Sequence, residues 1–219
     1  MPQTNIDITW RANYVLKQPP QPRELVLLLH GFQQSGETLA RLLAEALPED
    51  VAVLAPDGLF PIPVRTPKGY ELGFTWYFFD PIRQIYHRDM SAALAYLETL
   101  LQALQLPGSL PMRVIGYSQG AYLAPHAAAC WSQVIQVIGI NGRFRSEVIK
   151  SALPFRIDGV HGAIDDQVDP QRSQRCFEEL QEHGCHGSFT LVPGSGHGIS
   201  GDIRRKVSQL LSLREPQNR

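Results

Sequence analysis

From about residue 24 onward, short β-rich apolar runs alternate with stretches of helical periodicity, and this alternation limits the possible folds more than any other feature of the chain. Strands that read as unbroken apolar runs are buried on both faces, and helices between them supply the long crossovers that parallel pairing needs. LVLLL (25–29), VAVLA (51–55), MRVIG (112–116), VIQVIGI (134–140), FRIDGV (155–160) and SFTLV (188–192) are the candidate strands, each close to a Gly or Pro. An edge ribbon is expected around Ile6 to Leu16. Leu39, Leu42, Leu43 and Ala46 keep the i, i+3, i+4, i+7 spacing, and Met90, Leu94, Leu97, Leu101 and Leu104 sustain a stripe for almost four turns. Phe177 and Leu180, then Ile203, Val207, Leu210 and Leu211, mark two further helices. The pattern predicts an α/β fold with a mostly parallel central sheet and helices on both faces.

A chain of 219 residues can bury about 70% of its surface in one core, so a single domain over residues 1–219 is expected. Its formal charge of −1 provides no field to gather phosphates, which argues against nucleic acid or an anionic membrane as partner. The longest apolar run, Ala92 to Leu97, is far short of the ~20 residues that span a bilayer. Cys130, Cys176 and Cys185 are too few and too irregular for a disulfide framework, and MPQTNIDITW lacks the features of a secretory leader. A reducing cytoplasm is the expected compartment. His183, Cys185 and His186 lie close together without the further partners that a metal site requires, so no metal is expected.

The chemistry is concentrated around MRVIGYSQGAYLA, where G-x-S-x-G directly follows an apolar strand and precedes small residues that can open a helix. A turn this sharp brings strand and helix close together, which requires small residues at Gly116, Gly120 and Ala121, and it lifts Ser118 clear of the sheet. A serine hydroxyl is a weak nucleophile at neutral pH. An imidazole must take its proton, and an acid must hold that imidazole in the right tautomer. Of the seven histidines, His197 follows the last candidate strand in the turn PGSGHGIS, which makes it the candidate base. His30 and His161 each precede Gly at a strand end and are expected to bond local backbone; His126 falls on a helix; His87, His183 and His186 read as surface residues. The acid must come from HGAIDDQVDP. There Asp169 precedes Pro170 as a helix N-cap, Asp158 lies too early, and Asp165 and Asp166 both remain.

The segment from Leu59 to Tyr86 resists regular assignment, because Pro61, Pro63 and Pro67 break any helix and aromatics then crowd together at Tyr70, Phe74, Trp76, Tyr77, Phe78 and Phe79. A long ordered loop is expected here. Either it folds back onto the core, or Phe74, Trp76, Tyr77 and Phe78 form a wall for substrate.

Taken together, LLLHGFQQSG, GYSQG, HGAIDDQV and GSGHG resemble the carboxylesterase/phospholipase family of α/β-hydrolases, the group that contains the acyl-protein thioesterases. The resemblance spans most of the chain and implies the α/β-hydrolase fold. In the family the acid lies four residues after the His of H-G-x-x-D-x-x-V, which here is Asp165, with Val168 completing the pattern and Asp169 displacing the family's Pro. The resemblance also implies an oxyanion hole built from the backbone N–H groups of Phe32 and Gln119, donors of the kind that usually provide the largest catalytic term. Where the family commonly carries Gly then Asp after the H-G-x turn, this chain has Gln33 and Gln34. The family's Trp-Phe-Asp element is present only approximately, as Trp76-Tyr77-Phe78 or Phe78-Phe79-Asp80.

The expectation is a serine hydrolase that needs no cofactor and cleaves a small ester or thioester, with or without a long acyl chain, through an acyl-serine. The alternatives are a peptidase on the same triad, or a binding protein that keeps the fold without the chemistry.

Overall fold

The computed structural model describes residues 9, 11–80, 82, 85–86, 90–106, 109–146 and 149–213. In chain order, the elements are β1 (Tyr14–Lys17), β2 (Leu25–Leu29), α1 (Gly36–Leu43), β3 (Ala52–Pro56), β4 (Phe60–Thr66), β5 (Gly69–Thr75), β6 (Phe79–Asp80), β7 (Ile85–Tyr86) and α2 (Ser91–Ala103). They continue as β8 (Met112–Tyr117), α3 (Gln119–Ala128), β9 (Val134–Ile140), β10 (Arg156–Gly162), α4 (Pro170–Glu182), β11 (Phe189–Val192) and α5 (Gly201–Ser212). Seven strands form one sheet in the order β1-β3-β2-β8-β9-β10-β11. Only the β1–β3 pair is antiparallel. The edge ribbon expected around Ile6 to Leu16 is thus a four-residue strand, with residues 6–8 and 10 outside the described chain, as is His87.

Alternate residues of each central strand feed two cores. Leu25, Leu27, Leu29, Val114, Val137 and Ile157 pack with Leu97 of α2, Leu123 of α3 and Phe177 of α4. Val26, Leu28, Ile115, Ile138 and Val160 pack on the other face with Leu39 of α1 and Ile203 and Val207 of α5. No helix among the described residues is long and apolar enough to cross a membrane. Asp158 belongs to a polar row across the strands, accepting hydrogen bonds from Gln136 at 2.7 Å and from Arg156 at 2.7 and 2.8 Å. Those bonds account for its carboxylate within the apolar strand.

The segment expected to be an irregular loop is instead largely a hairpin of β4 and β5, with Thr66 paired to Gly69 across Pro67-Lys68. Its prolines do not break it, because Pro61 and Pro63 are two residues apart, both on the exposed face, in a strand whose only partner among the described residues is β5. Alternate N–H groups of an edge strand point away from the ladder, so proline there forfeits no pairing bond. The wall expected from the aromatics that follow is also corrected. Trp76 is 1% exposed and belongs to the core, with Phe74 and Tyr77 buried as well, whereas Phe78 is 46% exposed. A side chain without accessible surface cannot line a substrate channel.

Trp76 packs instead on His30, at the end of β2, with ring centroids 4.9 Å apart, and its Nε1 donates to the His30 carbonyl at 2.9 Å. His30 Nε2 accepts the N–H of Gly58 at 2.8 Å, so the ring proton is on Nδ1, which donates to the Gly31 carbonyl at 2.7 Å. Burial, partly offset by that bond to Gly31, lowers the His30 pKa from 6.5 to about 4.

Two outcomes follow from this packing. Because folding lowers the His30 pKa, the unfolded chain takes up its proton first on acidification, and stability present above pH 6.5 is lost between 6.5 and about 4. From the size of that shift the loss is about 3 kcal/mol. Urea unfolding from pH 7.5 to 4 should therefore show a steeper decline for the wild type than for His30→Gln; parallel curves would remove His30 as the cause. Trp76→Ala should cost about 3–5 kcal/mol and lower the melting temperature by roughly 6–20 °C. An unchanged melting temperature would return Trp76 to the surface.

Candidate active site

The turn between β8 and α3 is possible only because two side chains are missing. A Cβ on Gly116 would lie 2.3 Å from the Gly120 carbonyl oxygen, and one on Gly120 would lie 1.9 Å from that of Leu29. The close approach holds Ser118 at φ 49°, ψ −112°, a conformation that non-glycine residues rarely adopt. Ser118 N donates to Ile140 O at 2.8 Å, and Ala121 N donates to Ser118 O at 3.0 Å. Strain of this kind costs about 1–3 kcal/mol and persists where the surroundings over-determine it.

The Ser118 hydroxyl oxygen lies 3.0 Å from His197 Nε2, and His197 Nδ1 lies 2.9 Å from Asp165 Oδ2. A carboxylate only accepts, so Nδ1 carries the ring proton and leaves Nε2 to accept from the serine. The other oxygen, Asp165 Oδ1, accepts the N–H groups of Gln167 at 2.9 Å and Val168 at 3.0 Å. Burial opposes the charged carboxylate, but the Val168 N–H, His197 and the Gln167 N–H together hold its pKa below the usual value. Asp165 is thus the carboxylate that meets His197. Asp166 is exposed, and Asp169 caps α4 by accepting from Gln171 and Arg172 N–H groups. The arrangement can move a proton from Ser118 to His197 and stabilise the resulting imidazolium.

His161 does more than bond local backbone. Its Nε2 faces both the Val168 carbonyl at 3.0 Å and Asp165 Oδ2 at 3.1 Å. With two acceptors opposite, Nε2 carries the proton, and one carboxylate oxygen receives both His161 and His197. Burial lowers the His161 pKa despite those partners, which favours the neutral ring. Its position as the histidine of H-G-x-x-D was the available signal, since it stands four positions before Asp165.

Phe32 lies in the turn after β2, and Gln119 is the first residue of α3, directly after Ser118. The first N–H groups of a helix have no carbonyl four residues back, and Gln119 supplies one of these. Its side-chain amide is engaged elsewhere, accepting from Trp76 N at 3.1 Å and donating to Tyr77 O at 3.0 Å, which fastens α3 to the chain after β5. In the other turn, Gln33 stands at φ 65°, and Gln34 Oε1 accepts the Gly31 N–H at 3.2 Å. Gln33 N donates to Phe74 O and Phe74 N to Gln34 O, tying that turn to β5. Phe32 itself is 42% exposed, as Phe78 and Ile164 also are in large part. Among the described residues no group of three His, Cys, Asp or Glu could hold a metal ion, and Cys185 Sγ is directed at Ser151 O instead.

Sequence reasoning passed over Asn141 and Tyr117, which contact the carbonyl of His197. The only signals were an Asn-Gly pair at the end of an apolar strand and a tyrosine next to the serine.

The fold recurs in solved structures. Zea mays acyl-protein thioesterase 2 superposes with a TM-score of 0.71 at 21% identity, covering 92% of this chain and 97% of that one. Esterase PE8 gives 0.69 at 22% identity, with 92% and 98% covered. A carboxylesterase from Mesorhizobium loti gives 0.68 at 21%, with 88% and 90% covered. Among curated proteins none matches the sequence. The model of the phospholipase/carboxylesterase family, however, matches residues 12–214, which takes in every element from β1 to α5. On that match the chain belongs to the phospholipase/carboxylesterase family of α/β-hydrolases.

Proposed function

We propose that the protein is a serine hydrolase that cleaves carboxylic esters or thioesters through an acyl-serine intermediate. The observation that carries this reading is the continuous hydrogen-bonded chain from Ser118 through His197 to Asp165, set at a strained turn in a member of an esterase family. Ser118 Oγ attacks the acyl carbon as its proton passes to His197 Nε2. The negative charge moves to the former carbonyl oxygen, where the N–H groups of Phe32 and Gln119 receive it. The tetrahedral species then collapses, and the departing alcohol or thiol takes the proton from His197. Water repeats the sequence to release the acid, with His197 again taking and returning a proton. Asp165 remains ionised throughout and holds the imidazolium. No step needs a cofactor.

The substrate is a small ester or thioester. An esterase and an acyl-protein thioesterase among the structural neighbours are compatible with either leaving group. The exposed faces of Phe78 and Phe32 favour an apolar acyl or aryl group over a charged one. The three cysteines are free thiols, which suits a reducing cytoplasm.

A fluorophosphonate probe should label Ser118, and Ser118→Ala should abolish labelling and lower kcat by roughly 10⁴- to 10⁶-fold on a panel of p-nitrophenyl esters and one acyl-thioester. Intact-mass analysis without an adduct would favour a binding protein, and labelling without turnover of any ester would favour a peptidase. Asp165→Asn should cost roughly 10⁴-fold in kcat, because His197 then adopts the wrong tautomer. Asp166→Asn, compared at equal folded concentration, should cost little. The reverse order would move the acid by one residue and leave the rest of the reading standing.

A further inference from the structure

The backbone carbonyl of His197 is the meeting point of two buried side chains that the reaction does not use. From the end of β8, the Tyr117 hydroxyl donates to it at 3.0 Å, while the tyrosine ring lies beside the His197 ring with centroids 5.4 Å apart. From the end of β9, Asn141 Nδ2 donates to the same oxygen and lies 3.3 Å from the carbonyls of Gly196 and Gly198. Asn141 Oδ1 faces the other way and accepts the Gly162 N–H at 2.8 Å, three residues before Asp165. Accepting the reading of Ser118, His197 and Asp165 given above, we infer that Tyr117 and Asn141 are positioning residues that hold His197 through its carbonyl, and that Asn141 couples this point to the turn carrying Asp165.

Three further observations support the clamp. His197 stands between Gly196 and Gly198, which offer no side chains to pack, so the loop needs anchoring from outside. Asn141 is fully buried at φ 46°, where glycine would be less strained, and the asparagine amide is what a glycine could not supply. Burial, with Asp165 nearby, pushes the Tyr117 pKa up to about 12, so the phenol keeps its donor proton at any working pH. Small displacements matter here, since misplacing a reacting group by about 1 Å can cost about 10²-fold in rate.

The test uses Tyr117→Phe, which keeps the ring; Asn141→Asp, which keeps an acceptor for Gly162 but no donor; and the double variant. The readouts are kcat and KM on a p-nitrophenyl ester, melting temperature, and the solvent exchange of the His197 Nδ1 proton by ¹⁵N-histidine NMR. Either single change should lower kcat by about 5- to 50-fold with KM within about twofold, and should speed Nδ1 proton exchange in protein that is still folded. The double variant should lose more than the product of the singles, because in each single variant the remaining donor still holds the carbonyl in part. Wild-type kcat and exchange in Tyr117→Phe and in the double variant would overturn the clamp. So would activity lost only in step with the folded fraction, with exchange unchanged. Should Asn141→Asp fail to fold, Tyr117→Phe decides by the same criteria. If Ser118→Ala retained full turnover, the hydrolase reading would fall, while the exchange measurement would still decide whether the two side chains hold His197.

Discussion

The structure depends on the contact of β2, β8 and α3 at Gly116 and Gly120. Main-chain oxygens occupy the space that any side chain at either position would need, so the helix can start directly on the strand end only with glycine at both. Ser118 is thereby held in a conformation it would not adopt in an unconstrained chain. The cost is met by two central strands and a helix whose side chains are almost entirely buried. A rigid elbow fixes the serine relative to the sheet, and every other member of the site can then be placed from a neighbouring strand end. His197 follows β11, Asp165 follows β10, Asn141 follows β9, and Phe32 follows β2. This is the carboxyl edge of the parallel strands, where open α/β sheets present their chemistry.

Three buried or half-buried histidines show how local donors and acceptors assign different tautomers in one molecule. His30 accepts at Nε2 from Gly58, His161 donates at Nε2 to Val168 and Asp165, and His197 donates at Nδ1 to Asp165. Each assignment follows from the fixed character of the partner, since a backbone N–H only donates and a carboxylate or carbonyl only accepts. Asp165 consequently receives two imidazole N–H groups on one oxygen and two backbone N–H groups on the other. That saturation is what allows a carboxylate with no exposed side-chain surface to remain ionised.

The strands of the main sheet, the helical stripes and the contact of Ser118 with His197 were legible because each rests on local sequence. Periodicity reports burial directly, and the elbow's glycines are dictated by space. The hairpin was not legible in the same way. Prolines at 61, 63 and 67 signal the end of a helix, yet the two-residue spacing of Pro61 and Pro63 is also what an edge strand tolerates, and only knowledge of the missing partner strand decides between these. The aromatic cluster misled for a different reason. Composition cannot say which way a ring points, and Trp76 turns inward because its indole N–H finds the His30 carbonyl, a partner 46 residues away in sequence. Asn141 was invisible on similar grounds, as an Asn-Gly pair announces a turn and says nothing about which carbonyls the amide will reach.

The turn after β2 illustrates how a departure from the family's sequence can leave local geometry in place. The family commonly has glycine then aspartate where this chain has Gln33 and Gln34. Gln33 nevertheless takes a positive φ of 65°, the conformation for which glycine is the usual choice. Gln34 in turn uses its side-chain carbonyl oxygen to accept the Gly31 N–H, as a carboxylate could, but without bringing a negative charge to the turn. In the proposed reaction a fixed negative charge there would oppose the oxyanion expected at Phe32, and a neutral acceptor would not. The strain at Gln33 is balanced by the paired bonds of Gln33 and Gln34 to Phe74, which bind the turn to β5. The hairpin misread as a loop therefore has a direct role in the site's construction: its second strand ends on the turn that carries Phe32 and continues, through Trp76 and Tyr77, onto the side chain of Gln119.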